Sequence, residues 1–218
     1  MASSARASDA QIFSAAWERA WQDLGLTPAP NALPQLLAAH AGPDRHYHGL
    51  QHIAECLQWL EQLRPQIAQP AELALALCFH DAIYDPQAKD NERRSANWAQ
   101  AVMQAAGAAP DALQRVDALV MATCHFQPAQ APLPADSAWM LDIDLSILGA
   151  PAARFAQYQA QIQAEYAWVP AADYALRRQA VLRSFLQRPA IYQTATMRAR
   201  LEAQARQNLE QALALAIA

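Results

Sequence analysis

Side chains able to do acid–base or metal chemistry are scarce in this 218-residue chain, and they gather beside its most apolar segments. Of six histidines, His46, His48, His52, His80 and His125 share with Asp81, Asp142 and Asp144 a place at the edge of a hydrophobic run. His48 and His52 are four residues apart. On a helix that spacing puts both on one face roughly 5–6 Å apart, which suits two ligands of one ion, or one ligand beside a general acid. A surface or capping pair has the same spacing. His80-Asp81 closes the run Leu73-Ala-Leu-Ala-Leu-Cys-Phe79, where an ionised carboxylate is costly unless it is paired or bound to a cation. Backbone hydrogen bonds or an arginine would also satisfy Asp81, and His80 would then be a core histidine. In Leu141-Asp-Ile-Asp-Leu145 two carboxylates stand among large aliphatics. On a helix they diverge, so one faces a site while the other caps the helix or orients a ligand. Imidazole with carboxylate suits Mn, Fe, Co, Ni or Zn, and Mg where water completes the shell. No cysteine pair is spaced for a structural zinc, so an open, catalytic type of site is expected.

Candidates for gripping an anion are fewer. Arg45 lies just before the histidine cluster. Arg178 falls on a stripe with Tyr174, Val181, Leu182 and Phe185, which directs its guanidinium inward toward an anion, either a phosphate or a carboxylate such as Glu165 or Asp142. Glu92, in Asp90-Asn-Glu, suits a helix N-terminus or a place near a metal. His125 follows a helix whose C-terminal dipole it favours, a position that also permits a metal or phosphate contact. His40, ahead of Gly42, reads as a helix cap. His46 reaches the site only if the turn before His48 folds back. Tyr84, Trp168, Tyr174 and Tyr192 read as core residues.

The elements that must position these groups are all helical. Ser8 or Asp9 caps a helix to about Leu24, carrying Ile12, Ala16, Trp17, Ala20 and Trp21 as its buried stripe. A short helix covers Leu33 to His40. Helical spacing resumes from about His48 to Leu63, and Pro70 opens an almost uniformly apolar helix, Ala71 to Asp81, which must be buried on all sides. Asp90 or Asn91 starts the next helix and Pro110-Asp111 the one after. Beyond the Pro-rich stretch Gln127 to Asp136, read as a long loop, come Trp139 to Leu148, Ala152 to Tyr166, Ala171 to Leu186 and Thr194 to Ile217. No segment alternates with period two, so the expected fold is an all-α bundle of about nine or ten helices.

Composition sets the outer limits. With 54% hydrophobic and 17% charged residues, disorder is excluded. A net charge of -4 gives no general attraction to nucleic acid polymers or anionic membranes, so phosphate binding must be local. The three cysteines, Cys56, Cys78 and Cys124, each lie within apolar runs, as reduced core thiols do. With no signal-peptide pattern and no run of the ~20 apolar residues a membrane span needs, a cytoplasmic protein is expected.

These residues carry a family resemblance. The order His, then His-Asp, then a distant Asp resembles the HD superfamily of metal-dependent phosphohydrolases, here His52, His80-Asp81 and Asp144. More narrowly, Arg45-His-Tyr-His-Gly-Leu-Gln-His-Ile53, Phe79-His-Asp-Ala-Ile-Tyr-Asp-Pro86, Asp90-Asn-Glu-Arg-Arg-Ser-Ala96 and Leu141-Asp-Ile-Asp-Leu-Ser-Ile-Leu-Gly149 look like a bacterial branch known as predicted HD phosphohydrolases. The likeness spans most of the chain and implies a single HD-type domain over 1–218, with core motifs in 45–149 and C-terminal helices of 151–217 packing on it. Tyr47-His-Gly-Leu-Gln-His52 is similar to the Tyr-His-Asn-x-x-His motif of cyclic nucleotide phosphodiesterases. That likeness makes His48 the proton donor and His52 a ligand, and Asp144-Leu-Ser favours Asp144 over Asp142 as ligand. Gly49 departs from the motif's Asn and the purine-clamping Gln has no counterpart, so a cyclic nucleotide is not implied.

The resemblance implies hydrolysis of a phosphate ester of a small metabolite, such as a nucleotide, by a metal-activated water. One or two divalent ions (Mn, Mg, Co, Fe, Ni or Zn) would be held by His52, His80, Asp81 and Asp144. His48 and Asp81 would do the acid–base work with Glu92 near the metals, and Arg45, Arg178 and His125 would contact substrate. In several HD branches, histidines placed like His125 recruit a second metal. Two alternatives stay open: an HD-type di-iron oxygenase using His125 and His48 as further ligands, and a non-catalytic helical protein that binds a metal or ligand.

Overall fold

The computed structural model describes residues 2–124 and 134–215, with side chains from residue 8 onward. His125 and residues 127–133 of the Pro-rich stretch lie outside the described residues. Ten α-helices and two 3-10 segments make up the described elements, with no strand among them, as the helical periodicity predicts. The chain divides into two compact units, Met1–Ile143 and Asp144–Ala218. The division falls inside the Leu141–Leu145 motif.

The first unit is arranged around its most apolar helix. It contains α1 (Ala2–Leu24), α2 (Ala32–His40), α3 (Leu50–Leu63), α4 (Pro70–Phe79), α5 (Asn91–Ala105), α6 (Pro110–Ala122) and most of α7 (Ser137–Asp144). Residues Leu73 to Cys78 of α4 are all fully buried, since a helix without a polar face has to be enclosed, here by α1, α3, α5 and α6. Each such leucine contributes roughly 1.5–3 kcal/mol. Trp17 of α1 and Trp98 of α5 lie 5.8 and 5.9 Å from the ring of Phe79, so aromatic contacts fix the end of α4 from two sides. At its other end the Asp136 carboxylate accepts the amides of Ala68 and Gln69 at 2.9 and 2.7 Å, just ahead of Pro70. Buried Glu72 is met by both Nε and Nη2 of Arg115 from α6, each at 2.7 Å.

Helix ends follow the punctuation, with some displacement. Gly25 (φ 67) and Gly107 (φ 84) take the left-handed conformation that stops α1 and α5, their amides turning back to Gln22 and Gln104. α1 starts earlier than the cap expected at Ser8 or Asp9. α4 ends at Phe79, not Asp81, and α3 starts at Leu50, so His48 and His52 do not share a helical face. Extended Gly49 (φ -134, ψ -167) separates them. A Cβ there would stand 3.0 Å from the carbonyl oxygen of His40 and 3.4 Å from that of Arg45, so this close approach uses glycine's missing side chain.

The second unit holds a 3-10 segment, Leu145–Gly149, with α8 (Ala152–Glu165), α9 (Ala171–Leu186) and α10 (Ala195–Leu215). α10 packs on the 3-10 segment, where Asn208 Nδ2 donates to the carbonyls of Leu148 and Ala150, both at 2.8 Å, and Tyr192 donates to that of Leu145 at 3.1 Å. Gly149 is enclosed: a Cβ would lie 2.7 Å from Leu201 Cβ. Tyr192 is fully buried, as expected. Trp168, expected in the core, is 51% exposed, because it lies in the turn between α8 and α9 rather than on a packed helix face.

Candidate metal centre

Three ligand-type atoms meet where the start of α3 passes the end of α4. His52 projects from the first turn of α3, His80 is the C-cap of α4, and Asp81 follows it in the turn. His52 Nε2 lies 3.3 Å from His80 Nε2 and 3.6 Å from Asp81 Oδ2, and His80 Nε2 lies 3.1 Å from that same oxygen. Both imidazoles are 2% exposed and the carboxylate side chain 18%. A point about 2 Å from all three atoms exists, which matches nitrogen–metal and oxygen–metal distances of zinc-sized ions.

Hydrogen bonding sets the chemistry of these atoms. His80 Nδ1 lies 2.9 Å from the carbonyl of Leu77, which can only accept, so the ring proton is on Nδ1 and the Nε2 lone pair faces Asp81. Burial alone would raise the Asp81 carboxyl. The imidazoles of His80, His48 and His52 outweigh that and hold it below the ordinary carboxylate range, ionised at neutral pH. A carboxylate and a lone pair 3.1 Å apart repel unless positive charge lies among them, supplied by a further proton on the imidazole or by a metal ion. The donor set of two imidazoles and a carboxylate, mutually within reach, fits a divalent ion.

His48 stands beside this group rather than in it. It lies in the turn before α3, its ring stacked on Tyr84 at 4.2 Å, edge-on to Tyr47 at 4.9 Å and 6.3 Å from the His52 ring. Its ring is close to the group without supplying one of the atoms that meet there. Arg45 braces the same region. Nη1 donates to the carbonyls of His48 (2.9 Å) and Asp81, and Nη2 to that of Ala82 (2.8 Å), while the guanidinium lies 5.4 Å from the centre of the Tyr84 ring. The residue expected to grip phosphate therefore ties the His48 turn to the Asp81 turn.

Glu92 and His46 are not among the ligand-type atoms that meet. Glu92 sits in the first turn of α5, where a carboxylate complements the helix dipole, and does not join the ligand group. His46 is exposed. Asp142 is fully buried near the end of α7 and belongs to the first unit, while the half-buried Asp144 is the first residue of the second. Arg178, in the second unit, donates from Nε and Nη2 to the neutral amide oxygen of Gln159 and lies 5.0 Å over the Tyr158 ring, so its partners within the chain are an amide and a phenol rather than Glu165 or Asp142. His125 lies outside the described residues.

Two residues that the sequence did not assign to the site lie against the centre. His40 is not a cap on α2 but a core residue whose Nε2–H donates to the Cys78 carbonyl at 2.9 Å, two residues before His80. Tyr47 places its hydroxyl 3.0 Å from His52 Nδ1. Tyr47 stands inside the Tyr-His-x-x-x-His pattern and was legible there, whereas nothing local to His40 announces its partner. All three cysteines are free and buried, with burial pushing the Cys78 thiol upward.

Compared with family models, with curated proteins and with solved structures, the chain finds no match.

Proposed function

We propose that the chain is an HD-type, metal-dependent phosphohydrolase acting on a phosphate ester of a small metabolite, with a nucleotide as the leading candidate class. The observation that carries this reading is the convergence of His52 Nε2, His80 Nε2 and Asp81 Oδ2 to within 3.6 Å of one another, with the His48 ring beside them. His52, His80 and Asp81 would hold a divalent ion, Mn, Mg, Co, Fe, Ni or Zn, and the resemblance nominates Asp144 for a further position. When bound, such an ion lowers the pKa of a coordinated water and neutralises charge on phosphoryl oxygens. Asp81, kept ionised by its imidazole neighbours, orients the attacking water. His48, an imidazole beside the ligand atoms, donates the proton that the leaving oxygen requires. Arg45 keeps His48 and Asp81 at a fixed separation by bonding to both turns. Three free buried cysteines accord with a reducing cytoplasm.

The test is elemental analysis of the purified chain, together with a screen of nucleotides, phosphomonoesters and phosphodiesters in Mn, Mg, Co and Fe. Ion-dependent phosphate release is expected, falling at least ~100-fold in His52→Ala and Asp81→Ala. Release that survives both substitutions unchanged rejects the proposal. His48→Ala is expected to keep the metal and to slow turnover, most of all for esters with poor leaving groups; equal slowing for good and poor leaving groups would remove His48 as the acid.

A further inference from the structure

The contact between Tyr47 and His52 is not used by the chemistry proposed above. Tyr47 is 5% exposed in the turn before α3, its ring 4.7 Å from that of His52 and its oxygen 3.0 Å from His52 Nδ1. A neutral imidazole carries one proton, and here its two nitrogens have different company. On the Nδ1 side stands the phenol oxygen. On the Nε2 side stand two acceptors, His80 Nε2 at 3.3 Å, whose lone pair is fixed by the Leu77 carbonyl, and Asp81 Oδ2 at 3.6 Å.

The two tautomers have opposite consequences. With the proton on Nε2, His52 donates to His80 or Asp81, and the centre closes on itself as an internal hydrogen bond. With the proton on Nδ1, the Nε2 lone pair joins those of His80 and Asp81, an arrangement that positive charge stabilises and a divalent cation can supply. Neutral His80 has its tautomer set by the backbone. His52 meets at Nδ1 a hydroxyl that can either accept or donate, so the direction of that hydrogen bond biases which nitrogen of His52 is left open.

We propose that Tyr47 is a positioning residue of this centre: by accepting the Nδ1–H of His52 it keeps Nε2 unprotonated and open to a divalent cation. The inference rests on reading His52, His80 and Asp81 as a metal site. Removing the phenol oxygen takes from Nδ1 its partner at 3.0 Å, while Cys56 Sγ, a weak acceptor at 3.7 Å from Nδ1 and 3.9 Å from Nε2, favours neither side, so the balance tips toward a proton shared with His80 and Asp81.

The experiment uses the full chain with 15N-labelled histidine, chelated and held at pH 7.5, in wild-type form and as Tyr47→Phe, which keeps the ring and its packing. Long-range 1H–15N spectra report the tautomer of His52, and titration with Mn2+ reports affinity. Wild type is expected to carry the proton on Nδ1. In Tyr47→Phe the proton shifts toward Nε2 and Mn2+ binding weakens by roughly 10–100-fold, the usual effect of losing a partner of a ligating histidine. An Nε2–H tautomer in the unmutated chain overturns the inference without need of the variant. So does Mn2+ affinity in Tyr47→Phe within twofold of wild type, a result that leaves the metal site itself standing. Wild-type protein that takes up no Mn2+ removes the metal site, and this role of Tyr47 with it.

Discussion

At the scale of single residues, His40 shows what burial does to a titratable group. Enclosure pushes its pKa down to about 4, against the opposing pull of its bond to the Cys78 carbonyl. A folded pKa below the unfolded value of ~6.5 means that the unfolded chain binds the extra proton between those limits. Stability from His40 is therefore complete above pH ~6.5 and is lost as the pH falls toward 4, by roughly 3 kcal/mol in all. Urea denaturation between pH 4.5 and 7 is expected to show this slope, and His40→Gln, which can still donate to the carbonyl, is expected to flatten it. An unchanged slope in the variant would assign the acid sensitivity to other groups. His40 and Arg45 share a lesson: both read locally as ordinary polar residues, a cap and a phosphate contact, and both turn out to hold backbone carbonyls next to the candidate ligands.

At the scale of elements, most boundaries were legible because prolines, glycines and helical periodicity act over a few residues. The uniform run Leu73–Phe79 required a surrounded helix, and α4 is one. What the local pattern missed was a turn. His48 and His52 look like partners on one helix, yet Gly49 is extended under the end of α2, so the helix starts after His48 and frees it to stack on Tyr84. The buried end of α4 nearest Pro70 gives a prediction. Glu72 is 3% exposed and its carboxylate is matched by Arg115 across α4 and α6. Arg115→Ala strands that charge and is expected to destabilise the fold by about 2–3 kcal/mol, while Glu72→Gln with Arg115→Ala recovers part of the loss. Equilibrium denaturation of the single and double variants checks both.

At the scale of the whole molecule, metal binding and stability are linked. An ion that binds only the folded chain stabilises it by RT ln(1 + [L]/Kd), about 2.7 kcal/mol at a hundred times Kd. Mn2+ or Zn2+ is expected to raise the melting temperature of the wild-type chain by several degrees and to leave that of His80→Ala where it was. Equal shifts in both would place the ion elsewhere. No helix among the described residues is long and apolar enough to cross a membrane. The chain divides after Ile143, two residues beyond the start of the Leu141–Leu145 motif, rather than at the Pro-rich stretch that composition marks most strongly.

The amino-acid order alone determined an all-helical chain, the position of nearly every helix, the burial of α4, and the short roll of imidazoles and carboxylates from which any centre had to be drawn. Those properties come from backbone propensity and from the periodicity of apolar side chains, which neighbours in sequence impose. Tertiary packing decided which of those groups meet. His52 reaches His80 across 28 residues and His40 reaches Cys78 across 38, separations over which no local pattern acts. It also decided that His48 leaves the helix, that Arg45 faces carbonyls, and that the Tyr47 hydroxyl stands against Nδ1 of His52.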